Sequence, residues 1–196
     1  DKITILNLYK NLGTAAYGNI AYSCVYFNGC LWIVTGCSDY LLKYNVNTGE
    51  SELHKNGVDK YVYTYITADE NRLYLLDNIN NIIAITNDGI DCMVIKIQTS
   101  LIKKYWNTEN GELCLFKAVL NVGNYIVLIP AFSDTFIKIN KITNEQSAIN
   151  THFLDNADGC FNGYNPEYSY STGAFAVLNS YEFIVQRTYD GKAAVI

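Results

Sequence analysis

The chain has 196 residues, 49% apolar and 17% charged, with 14 Lys and Arg against 19 Asp and Glu. That length suits one domain with a sizeable buried core, and the composition excludes a disordered or collagen-like chain. A net charge of −5, with its 14 Lys and Arg thinly spread, argues against nucleic acid as a partner, because a phosphate backbone calls for a basic face.

The N-terminus, Asp1-Lys2-Ile3-Thr4-Ile5, has neither the charged region nor the apolar run of a signal peptide, and it lacks an initiator Met. It reads as a chain processed or excised from something longer. No window reaches the roughly 18 to 20 apolar residues of a membrane span. Segment 3–8 (Ile-Thr-Ile-Leu-Asn-Leu) reads as one isolated strand. Three sets of four strands are predicted next, starting near Tyr22, Tyr63 and Cys114. Three more strands follow at 173–178, 182–187 and 193–196. The runs are short and rich in Val, Ile, Tyr and Phe, which suit a pleated, half-buried surface. Asn-Gly and Asp-Gly pairs, among them Asn28-Gly29 and Asp190-Gly191, supply the positive φ that tight hairpins need. No stretch sustains a 3.6-residue period; 97–106 has room for a helical turn or two.

One unit recurs: a polar turn, a strand, a second turn, a second strand. It occupies 27–34 with 40–45, 69–76 with 82–85, 121–128 with 136–140, and 178–185 with 193–196. Leu31, Leu73, Ile126 and Phe183 align at steps of 42, 53 and 57 residues. Units of about 40 to 50 residues holding four short strands are the pattern of propeller blades. The predicted fold is therefore all-β: a β-propeller of about four blades of four antiparallel strands, spanning 1–196 as one domain. Segment 3–8 would supply the outer strand of the last blade and close a small ring. The alternative is a larger ring of six to eight blades, completed by a homodimer or by a longer gene product. An end inside a strand, at Val195-Ile196, favours the second arrangement, and the whole count of sixteen strands, four per blade, favours the first.

Each copy resembles a blade of bacterial β-propellers of the quinoprotein-like and kelch-like kind. Leu42-Lys43-Tyr44-Asn45-Val46-Asn47-Thr48-Gly49-Glu50 is similar to the third strand and hairpin of a quinoprotein-type blade, where Asp or Asn precedes a Thr-Gly turn. Thr86-Asn87-Asp88-Gly89 and Thr188-Tyr189-Asp190-Gly191 are looser echoes. The blade-closing Trp, the Gly-Gly doublet of kelch repeats, a Trp-Asp dipeptide and the Asp-box of sialidases are missing. The resemblance thus implies neither a quinone cofactor nor a sialidase activity, and no cofactor is predicted. A composition rich in Asn, Ile, Tyr and Lys points to a low-GC bacterium.

Six cysteines occur (Cys24, Cys30, Cys37, Cys92, Cys114 and Cys160), with no C-x-x-C pair. Most sit in apolar runs and read as buried free thiols. With no N-x-S/T sequon either, the balance leans to a reducing compartment, the cytoplasm ahead of a bacterial cell surface or secretion.

The most unusual loop is 155–170. It mixes aromatics with carboxylates and amides, which is the chemistry of a sugar site. Asp155, Asp158, Phe161, Asn162, Tyr164 and Tyr168 are its candidate ligand residues, and Trp106 in the polar connection 104–111 is a further platform. The competing reading is a connector packed by its own tyrosines. The spacing does not fit a calcium loop, because Leu154 stands five before Gly159, so no metal is predicted. Lys103-Lys104 reads as a solvated turn. His54, placed in a hairpin turn, and His152 are the only histidines, and neither has an acid–base partner near it in sequence. No G-x-S-x-G, H-E-x-x-H or phosphate-loop pattern occurs, so no catalytic residue is assigned. The expected function is a non-catalytic module that binds a protein or peptide through one loop face, with an exposed apolar patch there. The alternative is a lectin-like glycan binder. A polysaccharide-cleaving enzyme ranks below both and requires two carboxylates about 5 to 10 Å apart.

Overall fold

The computed structural model describes residues 23–34, 40–55, 63–86, 92–103, 115–154, 172–187 and 191–196. Among them, fifteen strands form four antiparallel sheets, each filled in chain order. Sheet 1 holds β1 (Ser23–Phe27), β2 (Cys30–Val34), β3 (Tyr40–Asn45) and β4 (Ser51–Lys55). Sheet 2 holds β5 (Tyr63–Ala68), β6 (Arg72–Asp77), β7 (Asn81–Thr86) and β8 (Cys92–Lys96). Sheet 3 holds β9 (Phe116–Val122), β10 (Tyr125–Pro130), β11 (Ile137–Asn140) and β12 (Gln146–Ala148). Sheet 4 holds β13 (Thr172–Val177), β14 (Phe183–Arg187) and β15 (Ala193–Val195). These are the blades of a β-propeller, and the strand sets start within two residues of the positions predicted for them. In the described part of 97–106 the only helical element is a 3-10 turn at Thr99–Leu101. The predicted strand 3–8 lies outside the described residues.

Turn chemistry sets the hairpins. Asn28 (φ 50°) and Gly29 (φ 75°) both adopt the left-handed conformation that joins β1 to β2 in a type I′ turn. Between β3 and β4, Asn45 Oδ1 accepts from the backbone N–H of Asn47 (2.9 Å) and Thr48 (3.2 Å), and Gly49 N–H donates to Asn45 O. The same turn recurs between β11 and β12. Asn140 Oδ1 accepts from Ile142 N (2.9 Å) and Thr143 N (3.1 Å), and Asn144 stands where Gly49 stood, at φ 59°. This closest repeat escapes a search for Thr-Gly. The backbone needs a left-handed residue after Thr, and Asn meets that need as Gly does.

Three apolar clusters stack the sheets face to face. Trp32 and Leu41 of sheet 1 meet Ile66, Leu75 and Ile83 of sheet 2. Tyr74 and Leu76 meet Phe116 and Leu128 between sheets 2 and 3. Leu120 and Phe136 meet Phe183 and Val185 between sheets 3 and 4, with the Phe136 and Phe183 rings 5.9 Å apart. A strand covered on both faces reads as a continuous apolar run, and Ile82-Ile83-Ala84-Ile85 is buried throughout. The cysteines depart from the sequence reading. Cys30 is buried, but Cys24 and Cys92 are exposed free thiols. Cys24 alternates along β1 with Val25 and Phe27, which pack into the cluster between sheets 1 and 2, and Cys92 lies on the edge strand of sheet 2. Cys37, Cys114 and Cys160 lie outside the described residues.

Trp32 is core, as predicted. His54 lies within β4 rather than in a turn, edge-on to the Trp32 ring at 5.3 Å. Burial first, and then the Lys43 charge, lower the His54 pKa below 6.5, against the pull of Glu52. The unfolded chain therefore binds this proton more readily, and stability falls as pH drops below about 6.5. His54→Phe should flatten that slope, read as urea midpoints at pH 7 and pH 5.5. A slope unchanged by the substitution would assign it to another group.

Candidate functional site

In a four-stranded meander, the first–second and third–fourth connections leave the sheet at the same end. At that end of sheets 2, 3 and 4, four turns converge. They are 69–71 (β5–β6), 123–124 (β9–β10), 141–145 (β11–β12) and 178–182 (β13–β14). Between them lies a polar cleft of about 470 Å³, with Asp69, Glu70 and Asn71 on one side and Val177, Asn179 and Ser180 on the other. Asn121, Gly123 and Lys141 line its floor and wall.

Asp69 organises the sheet 2 side. Its Oδ1 accepts from Asn71 N (2.8 Å) and Arg72 N (2.9 Å), and its Oδ2 from the Tyr74 hydroxyl (2.8 Å). Lys141 Nζ lies 3.5 Å from Asp69 Oδ2 and donates to Asn121 Oδ1 at 3.0 Å. Asn121 Nδ2 in turn donates to Ala68 O at 2.7 Å. Burial opposes ionisation of Asp69. The three hydrogen bonds and the Lys141 charge outweigh it, so the carboxyl titrates below its ordinary value. Burial, and then the Asp69 carboxylate, push Tyr74 well above the usual phenol. Asp69 is thus a fixed anion that ties sheet 2 to sheet 3.

The sheet 4 side is a self-capped turn. Asn179 Oδ1 accepts from Tyr181 N (2.8 Å) and Glu182 N (3.0 Å), while Asn179 Nδ2 donates to Glu182 Oε2 (2.7 Å). The turn holds Tyr181 out in solvent, 89% exposed. Beside it, between sheets 3 and 4, runs an apolar groove of about 270 Å³. Val122, Tyr125, Val127, Ile149, Phe183 and Ile196 form its walls, Tyr181 its rim, and Asn124, Lys138 and Ser180 its polar points. Lys138 Nζ sits 5.0 Å from the centre of the Tyr125 ring. Ser180 borders both cleft and groove.

Two features hold this end together. Gly123 has φ +54°, and a Cβ on it would stand 2.3 Å from Ser180 O, so only glycine lets the two turns touch. Deeper, Lys117 on β9 donates to the carbonyls of Thr172 and Gly173 on β13, its ammonium 5.3 Å from the Phe175 ring. Burial pulls the Lys117 pKa down to about 8.

The residues singled out from sequence (Trp106, Asp155, Asp158, Phe161, Asn162, Tyr164 and Tyr168) all lie outside the described residues. Sequence reasoning missed Tyr125, Lys138, Lys141 and Tyr181. One signal was present: Tyr181 occupies the tip of Asn179-Ser180-Tyr181-Glu182, where a turn has no structural need of an aromatic.

No protein-family model matches the chain, and no curated protein does. Solved structures do match. The structure of YCF48 bound to D1 peptide matches 90% of this chain and 51% of its own, at 10% identity and a TM-score of 0.61. The computationally designed Ika4 protein matches 100% of this chain and 97% of its own, at 10% identity and 0.56. The Kuenenia stuttgartiensis hydrazine synthase matches 90% of this chain and 45% of its own, at 9% identity and 0.59. The chain spans about half the length of the YCF48 and hydrazine synthase chains it matches. At these identities the likeness is one of fold, the β-propeller.

Proposed function

We propose that the chain is a propeller binding module that captures a protein or peptide partner at the turn end of sheets 2, 3 and 4. The observation that carries this reading is the junction of two unlike surfaces at Ser180. One is an apolar groove rimmed by a solvent-held tyrosine, and the other is a cleft of amides, a lysine and carboxylates. A peptide crossing the junction would bury one apolar side chain between Tyr125, Tyr181 and Phe183. Its backbone and polar groups would meet Asn121, Asn179 and Lys141. Tyrosine suits such a rim because it offers large amphipathic contact area at a low entropy cost. The peptide carried by the YCF48 structure agrees with this reading. The glycan alternative rests on 155–170, outside the described residues, and no observation favours it here.

The test is selection of a displayed random peptide library on the purified chain. An enriched peptide should bind Tyr181→Ala at least tenfold more weakly than the wild type, a loss of about 1.4 kcal/mol. Ile79→Ala, an exposed site in the β6–β7 turn at the opposite end, should leave its affinity unchanged. Peptides that ignore both Tyr181→Ala and Lys141→Ala would place binding elsewhere and sink the proposal.

A further inference from the structure

The apolar groove contains one charged side chain, Lys138. Its ammonium lies over the Tyr125 ring at 5.0 Å, and it makes no ion pair among the described residues. Lys141, its neighbour in the cleft, is by contrast already matched to Asp69 and Asn121. In the free protein water solvates Lys138 from the open side of the groove. A partner that fills the groove removes that water. An ammonium closed into an apolar site without a counter-charge is costly, and an aromatic face offsets only part of the cost. The occupant of lowest free energy therefore brings its own anion.

We propose that the groove selects an acidic-apolar peptide segment: an apolar side chain enters between Tyr125, Tyr181 and Phe183, and an adjacent Asp or Glu carboxylate meets Lys138. The carboxylate number is small. Glu70 borders the cleft and Glu182 stands in the turn beside the groove, both exposed, and they repel a run of acids. A single acid beside the anchor satisfies Lys138 without meeting them. This inference rests on the peptide-binding reading of the same site and adds the chemistry of the ligand.

The experiment uses one library-enriched peptide made in three forms, with Asp, Asn or Lys beside its apolar anchor. Affinities are measured by fluorescence anisotropy for the wild type, Lys138→Met, Lys138→Glu and Tyr181→Ala, after matching thermal melts show that each variant is folded. The Asp form should bind the wild type about tenfold more tightly than the Asn form. In Lys138→Met that ratio should fall to about one, and in Lys138→Glu the Lys form should become the tightest. Peptides that lose affinity in Tyr181→Ala yet keep the same Asp-to-Asn ratio in wild type and Lys138→Met would overturn the acidic preference while leaving the binding site in place. Peptides indifferent to Tyr181→Ala would overturn the site itself, and this inference with it.

Discussion

Gly123→Ala should cost about 3 kcal/mol or more, while Gly29→Ala, at another left-handed hairpin glycine, should cost only about 1 to 2 kcal/mol. Both substitutions place an L side chain at positive φ, +54° at Gly123 and +75° at Gly29. That strain is shared. The surroundings differ. At Gly29 the nearest atom to a new Cβ is Asn47 Nδ2 at 3.7 Å, an ordinary contact. At Gly123 it is the backbone oxygen of Ser180 at 2.3 Å. No rotamer change relieves a clash with backbone. The β9–β10 and β13–β14 turns must part, and the Phe136–Phe183 contact behind them must loosen. For a domain of this size, 3 kcal/mol corresponds to a Tm lower by roughly 6 to 12 °C. Urea midpoints of the two variants decide the matter: if Gly123→Ala proves no more costly than Gly29→Ala, the close approach of the turns is not structural. The same variant opens the groove where it meets the cleft, so it should also weaken any peptide that depends on Tyr181.

What was legible in the sequence and what was not divides along the range of the interactions. Asn28-Gly29 announces a type I′ hairpin because the whole cause lies in two residues and their φ angles. The run Ile82 to Ile85 announces a strand covered on both faces for a similarly local reason. The repeat steps announced the blades because each blade is one local meander. The turn at 140–145 sits at the border: its hydrogen bonds are local, but Asn144 conceals the left-handed position that Gly49 advertises. The binding surface lies beyond the border. Lys141 meets Asp69 from 72 positions away, and Tyr125 and Tyr181 line one groove from neighbouring blades, so no spacing rule brings them together. Composition singles out 155–170, where aromatics and acids are dense along the chain. The described site is sparse along the chain and dense only in space. The exposed thiols of Cys24 and Cys92 show the same limit: an apolar neighbourhood in sequence does not say which face of a strand a residue occupies.

Asp77→Ala should cost about 2 to 4 kcal/mol, whereas Asp77→Asn should cost less than about 1 kcal/mol at pH 7. Asp77 closes β6 and is fully buried. Its Oδ1 accepts from Ile79 N (2.9 Å) and Asn81 N (2.7 Å), and its Oδ2 from Asn81 Nδ2 (2.8 Å). Alanine leaves two backbone donors of the β6–β7 turn, Ile79 N and Asn81 N, without their acceptor. Asparagine keeps an Oδ1 for both, and the Asn81 amide accepts from the new NH2 once it rotates. The two carboxylates of sheet 2 diverge in their titration. Around Asp69 the hydrogen bonds and Lys141 win over burial; around Asp77 burial wins over three hydrogen bonds and raises the pKa above 3.8. The sign follows. Between pH 3.8 and the raised folded value, the native state binds the proton that the unfolded chain releases. Stability from this group is therefore complete below pH 3.8 and lost as pH rises through the folded pKa. Asp77→Asn has no such loss, so the wild type should gain on it when urea unfolding is moved from pH 7 to pH 4. If Asp77→Asn instead falls as far as Asp77→Ala at pH 7, the negative charge itself holds the turn, and the burial account of Asp77 is wrong.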